Sequence, residues 1–355
     1  MPRLAAVLYS GFALLLAVHC YRNPLYDIDL LSYAGNVALY DTTDPVEVHR
    51  VVYSNPLPAH LLGTDANDVG SNVLRARAAD PYFSATYLPF FSVKPLYLMA
   101  MELGHRLGAS VIVASQVISA IAFLGIALMV WVYTGSLLAA LVILLPEIFV
   151  LGESNSPDGL SLFFLLLGFW LLFFAKKDIG ILPVLVSIWV RPENVILCGL
   201  VIVFLYASGR LRAGQAAVLL LVAAFSQLSI SHYGYGWRSL YAHTFRGAIP
   251  QEEATFGAHD YLQALTAGLR EVSHSSVPVF VLLFIASYRW TPYNMRVVTM
   301  LVTLFCVMRF VIFPSFEMRF YAPFFVTTAM SSILAMQGRR GAEAAGPYGP
   351  HKLPR

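Results

Sequence analysis

Residues 110–134 read SVIVASQVISAIAFLGIALMVWVYT, a stretch without a single Asp, Glu, Lys or Arg. Wound as an α-helix it would be about 37 Å long, more than the roughly 30 Å hydrocarbon core of a bilayer. Further apolar runs cover residues 4–20, 137–152, 159–175, 179–190, 194–208, 213–230, 277–290, 296–313 and 320–337. A shorter run, 88–103, carries Lys94 and ends in Glu102, His105 and Arg106. The pattern predicts an all-α polytopic membrane protein with about ten crossings. Several runs fall short of the ~20 residues of a full span, which implies tilted or broken helices. Whether 88–103 crosses or lies at the interface is open, and with it the face on which Asp158 falls. So is the alternative of splitting 110–152 into three short spans.

Composition agrees. Of 355 residues only 12% are charged, where about 25% is usual for a soluble domain, and 58% are hydrophobic. Mean hydropathy is +0.68. These values exclude a soluble enzyme, a disordered chain and a nucleic-acid binder. Cys20, Cys198 and Cys306 lie in or beside apolar runs without CxxC spacing, which implies neither a disulfide framework nor a zinc site. Residues 4–20 read as an uncleaved span, because Val18-His19-Cys20 offers no small-x-small cleavage site.

Two polar stretches interrupt the apolar pattern. Residues 22–87 hold eight acids and five prolines, and 231–275 is rich in aromatics and histidine. The short connections at Lys176-Lys177 and at Arg210 and Arg212 are basic, as is the tail with Arg339, Arg340 and Lys352. The excess of Lys and Arg in short cytoplasmic loops puts these inside and the two long loops outside. The expected organisation is a transmembrane domain over 1–337 and a disordered cytoplasmic tail over 338–355. His232, His243, His259 and His274 are too widely spaced for a compact metal motif.

A charge at mid-membrane costs roughly 2.5–3.5 kcal/mol on insertion scales, so charges near span ends call for a reason. On the expected outer face these are Asp27, Asp29, Lys94, Glu153, Asp158, Arg191, Glu193, Glu317 and Arg319. They are candidates for one site at the outer boundary. Simpler roles stand beside that reading: solvated helix-entry residues for Asp27 and Asp29, a helix cap or first-turn acid for Asp158. Local pairs Arg191–Glu193 and Glu317–Arg319, and a snorkelling Lys94, complete the simpler set.

Taken together these segments resemble the GT-C superfamily of membrane glycosyltransferases, which includes the protein O-mannosyltransferases and the aminoarabinose and arabinofuranosyl transferases. Lys94-Pro95-Leu96-Tyr97 is similar to that family's Lys-Pro-Pro-Leu segment. Tyr26-Asp27-Ile28-Asp29 sits where the family places its catalytic acid. Ser154-Asn155-Ser156-Pro157-Asp158-Gly159-Leu160 resembles the second acidic position. Arg191-Pro192-Glu193 and Glu317-Met318-Arg319-Phe320-Tyr321 are similar to later helix-end motifs, with Phe320 standing between the arginine and the tyrosine.

The resemblance implies transfer of a sugar from a polyprenyl-phosphate donor to a hydroxyl of a glycan, lipid or protein acceptor. The expected location is a bacterial inner membrane, with the site facing the periplasm or exterior and a role in the cell envelope. Asp27, with Asp29 second, is the expected general base. Lys94, Arg191 and Arg319 are the expected phosphate holders, supported by Glu193 and Glu317. Asp158 is expected to orient the acceptor or to share a divalent cation (Mg or Mn) with Asp27. Tyr26, Tyr33 and Tyr97 are candidates for a sugar subsite or for plain interfacial aromatics. A transporter or flippase of a lipid-linked sugar, and a non-catalytic subunit of an envelope-polymer assembly, are the alternatives.

Overall fold

The computed structural model describes residues 2–54, 69–246 and 256–344, and within them the chain is helical apart from turns and extended connections. Helix α1, Pro2–Arg22, buries Tyr9, Ala13, Ala17 and Cys20, a stripe repeating every three to four residues. That stripe packs on α7, Val111–Thr134, and the Tyr9 hydroxyl donates to the Ala127 carbonyl at 2.8 Å. Ser110 caps α7 by accepting from Val113 N–H, and Gly135 closes it in the left-handed region at φ 56°. Residues 111–134 are therefore one helix, and 110–152 as a whole divides into one long helix and two short ones.

The stretch 22–87 is more structured than a loop. Its described residues form α2 (Ile28–Ala38), α3 (Pro45–Tyr53), α4 (Val69–Ala79) and α5 (Pro81–Ala85). Asp44 and Asp80 cap α3 and α5, each followed by a proline at the first helical position, where no N–H is needed. Together with α6, Pro95–Arg106, they enclose a second apolar core of Leu30, Leu31, Tyr33, Val37, Val52, Leu74, Tyr97, Leu98 and Met101. Run 88–103 thus belongs to this layer, and its α6 lies against α2 and the start of α7.

After α7 the chain breaks at Leu145-Pro146, giving α8 (Ala139–Ile143) and α9 (Pro146–Glu153). Leu25 N–H donates to Glu153 O at 2.9 Å, which brings the ends of α1 and α9 together beside the loop layer. We call this the loop end of the bundle. Helix α10 (Asp158–Phe169) runs away from it and widens into a π turn, Trp170–Phe174. Arg210 donates to the Leu172 carbonyl in that turn and to Asp178, at the opposite, basic end. Helices α11 (Ile181–Val190) and α12 (Asn194–Ala207) follow, then α13 (Ala213–Ser231), α14 (Trp237–Arg246) and α15 (Ala258–His274). The bundle closes with α16 (Val277–Ser287), α17 (Tyr293–Ile312) and α18 (Ala322–Ala344).

Arg3–Arg22 of α1, α7, α13 and α17 are long and apolar enough to cross a membrane. The α15–α16 pair, bent by 64°, would make a fifth. Asp158–Phe174, Asp178–Val190 and Asn194–Ala207 are shorter apolar helices. The described residues are thus all-helical, with four or five full-length membrane-span candidates among them, against the ten or so crossings expected. The expected tail begins inside α18, which continues to Ala344; residues 345–355 lie outside the described residues. The three cysteines are free and buried.

The two long polar stretches touch where the His243 ring meets Tyr87 edge-on at 5.5 Å. Just beyond, His243 stacks on Phe90 at 4.7 Å, and Ser92 Oγ donates to Tyr233 O at 2.5 Å. Their junction stands immediately before Lys94.

Candidate active site

Proline chemistry places three of the expected charges. Lys94 and Arg191 each precede a proline, whose ring disfavours the helical region for the residue before it. Lys94 accordingly sits just ahead of α6, and Arg191 adopts φ −142°, ψ 108° just after α11. Asp158 follows Pro157 and opens α10, where a first-turn acid complements the helix dipole. Asp27 is the N-cap of α2, its Oδ1 accepting from Asp29 N–H at 3.4 Å. Arg319 stands in the 3₁₀ turn Met318–Tyr321 that leads into α18.

Tertiary packing gathers them at the loop end, around Arg319. Its Nη1 donates to Asp27 Oδ2 at 2.8 Å, Nη2 to Asp29 Oδ2 at 3.0 Å and Nε to Glu317 Oε2 at 2.8 Å. Asp158 Oδ2 lies 3.7 Å from the same Nε. Asp158 also pairs with Arg191 through Nη1, and Arg191 Nε donates to Glu193 Oε1 at 2.8 Å. The local pairs Arg191–Glu193 and Glu317–Arg319 both exist, but each is one edge of a larger network. Asp158 is not the helix cap; its carboxylate bridges two guanidinium groups.

Phe320 has a part in this network. Arg191, Arg309 and Arg319 lie 4.2, 4.4 and 5.3 Å from its ring centroid. One ring thus offers each of three like charges the attraction of its π system. Asp158, Ser161, Leu162, Arg191, Glu193, Asn194, Phe305, Arg309, Arg319, Phe320 and Pro323 line a cleft here. Asn194 braces its floor by donating to Ser161 Oγ at 2.7 Å and to Ser187 O at 3.1 Å.

Lys94 donates to the Tyr33 hydroxyl at 2.6 Å and lies over the Tyr33 and Phe91 rings. It makes no ion pair among the described residues. Burial pushes its ammonium down to about 8; Arg191 and Arg319 push the same way, while Asp29 and Glu193 resist. The Asp27 carboxyl is raised, by burial first and by Asp29 second, against the opposing pull of Arg319. Its side chain is also the most open of the three aspartates, at 35% against 20% for Asp29 and 3% for Asp158.

Other expected residues fall elsewhere. Tyr97 is fully buried, its hydroxyl 2.7 Å from Ser115 Oγ, so it is a core residue and not a subsite wall. Tyr33 is equally buried, and the Tyr26 hydroxyl accepts from Gln116 at 2.8 Å. Glu153 senses His19 rather than the arginines. Arg309 and Asn194 were not among the expected residues. Arg309 carried a signal: it is a charge inside the apolar run 296–313. Asn194 carried none, since an amide at a helix start is ordinary.

A shared divalent cation does not suit this donor set. No group of three metal-ligating side chains assembles among the described residues, and the Arg319 guanidinium occupies the space between the carboxylates. The arrangement can accept a proton at a half-buried carboxylate of raised pKa and hold an anion against several cations. Comparison of the chain with protein-family models, with curated proteins and with solved structures finds no match.

Proposed function

We propose that the protein is a membrane glycosyltransferase of the GT-C kind, taking its sugar from a polyprenyl-phosphate donor at the outer face of the membrane. The observation that carries this reading is the convergence of Asp27, Asp29 and Asp158 on Arg319, with Arg191 and Lys94 alongside, at the loop end of an apolar bundle. Such a site suits a ligand with an anionic head and an apolar tail. The ten-crossing topology and the bacterial envelope location are part of the same proposal.

The acceptor hydroxyl attacks the anomeric carbon, forming the new glycosidic bond as the bond to the phosphate oxygen breaks. Asp27 takes the hydroxyl proton, and the phosphate leaves with the electron pair. A phosphate is a good leaving group, so no general acid is required on that side. Lys94, Arg191 and Arg319 offset the charge that grows on it. Asp29 shares Arg319 with Asp27 and keeps the Asp27 carboxyl raised. Asp158, buried between two guanidinium groups, is a positioning residue that holds Arg191 and Arg319 at the distance the phosphate requires. It neither orients the acceptor nor holds a metal in this reading.

The test is turnover by the purified protein of a panel of radiolabelled polyprenyl-phosphate sugars, scored as label leaving the lipid. Release with one donor supports the transferase. Binding of donors without release, together with movement of labelled lipid between leaflets in vesicles, would replace it by the flippase reading.

A further inference from the structure

The cleft holds three arginines, and their bonding differs. All three guanidinium nitrogens of Arg191 lie on carboxylates: Nη1 on Asp158, Nε and Nη2 on Glu193. The same is true of Arg319, with Nη1 on Asp27, Nη2 on Asp29 and Nε on Glu317. An incoming anion must share or displace these acids. Arg309, in the last turn of α17, is different. It is 5% exposed and lines the cleft, yet no carboxylate of the described residues lies within 4 Å of it.

Its bonds occupy one nitrogen only. Nη1 donates to the Tyr321 hydroxyl at 3.1 Å and to Ser315 O at 3.3 Å, and Tyr321 in turn donates to Ser315 O at 3.2 Å. The rings of Phe320 and Tyr321, 4.4 and 5.2 Å away, fix the plane of the guanidinium. Nε and Nη2 make no hydrogen bond among the described residues. A buried cation with an unused two-donor edge matches two oxygens of a tetrahedral oxyanion.

We propose that Arg309 is an anion-binding residue of the cleft, its Nε and Nη2 hydrogens taking two oxygens of the ligand's phosphate while Nη1 remains on Tyr321 and Ser315. This rests on reading the cleft as a site for a lipid-linked phosphate. It adds a holder that needs no acid to be displaced, and it makes Arg191 and Arg319 responders to the charge that develops during reaction.

The experiment measures binding of a polyprenyl monophosphate, and separately of inorganic phosphate, to the full-length protein in detergent. Wild type, Arg309→Gln, Arg309→Lys and the distant control Arg339→Gln are compared, with thermal melting of each as a fold check. Loss of charge-assisted bonds predicts roughly 10- to 100-fold weaker lipid-phosphate binding in Arg309→Gln, with the control unchanged. Arg309→Lys, which keeps the charge but loses the fork, is expected to bind several-fold more weakly than wild type. It decides the matter if Arg309→Gln does not fold. Binding within twofold of wild type in a folded Arg309 variant overturns the proposal and leaves the transferase reading standing. Absence of any polyprenyl-phosphate binding by wild type defeats that reading, and Arg309's role with it. Weaker binding of inorganic phosphate alone, with the lipid unaffected, also overturns the proposal.

Discussion

Asp158→Asn removes one negative charge from between two guanidinium groups and leaves the side-chain volume almost unchanged. Asp158 is 3% exposed at its side chain, Arg191 10% and Arg319 18%, so solvent screens little of the loss. At the 3.7 Å separation from Arg319, and an effective dielectric of about 20, the gross attraction is about 4 kcal/mol. Arg191 pairs with the same carboxylate. Desolvation of the three groups offsets much of this, but removing one partner strands the others, which costs about 3–5 kcal/mol. Asp158→Asn is therefore expected to lose about 3–4 kcal/mol of stability, and Arg191→Gln a similar amount. The two losses share one interaction. The double variant should be more stable than the sum of the single losses predicts by about 2–3 kcal/mol. Reversible unfolding in mixed micelles measures all four corners of the cycle. The exposed pair Arg210–Asp178 at the opposite end, where Asp178 is 75% exposed, serves as the reference and should couple by less than about 1 kcal/mol. Additivity of Asp158→Asn and Arg191→Gln to within about 0.5 kcal/mol would refute the argument.

Other expectations are more compact. The pH profile of kcat/KM for label transfer should be bell-shaped: the acid limb lies above the ordinary aspartate range, because Asp27 must be ionised to take a proton, and the alkaline limb lies near pH 8, where Lys94 loses its charge. Lys94→Arg should move the alkaline limb upward, since guanidinium stays protonated; an unmoved limb assigns it to another group. Tyr97→Phe should cost about 1 kcal/mol of stability through the lost Ser115 bond while leaving KM within twofold; a tenfold rise in KM would restore Tyr97 to the sugar subsite. Gly168→Ala places a Cβ 2.6 Å from Val184 Cγ2 and 2.9 Å from Gly180 O, where α10 meets α11, and should cost about 1–3 kcal/mol in the same micelle unfolding. Wild-type stability there would mean that the two helices have room to part.

Much of the site was legible because its residues carry local marks. Lys94 and Arg191 precede prolines, Asp158 follows one, and apolar runs flank all three, so their placement at helix ends follows from backbone chemistry alone. The convergence of Asp27, Asp29 and Asp158 on Arg319 did not follow, because it depends on how α2, α10 and the turn before α18 pack. Arg309 shows the limit well. In sequence it is one more charge near the end of an apolar run; only the structure reveals which of its nitrogens are bonded. Phe320, which departs from the resembled motif, lies against three arginines, a role that shows only with all three in space. Tyr97 failed in the other direction: beside Lys94 in sequence, it points into the second core. That core was itself hidden, although Asp44-Pro45 and Asp80-Pro81 are sound helix-start signals, because the polarity of 22–87 outweighed them. The short helices between α7 and α13 bury their apolar faces on one another, so their lengths alone do not report how many cross the membrane.

The most direct test of the account is a single-turnover comparison of wild type and Asp27→Asn, loaded with the same radiolabelled polyprenyl-phosphate sugar and acceptor. Loss of a general base predicts transfer slowed by about 10²–10⁴-fold in a variant that still folds cooperatively and still binds the donor. Transfer by Asp27→Asn at the wild-type rate would contradict the assignment of Asp27 as the proton acceptor.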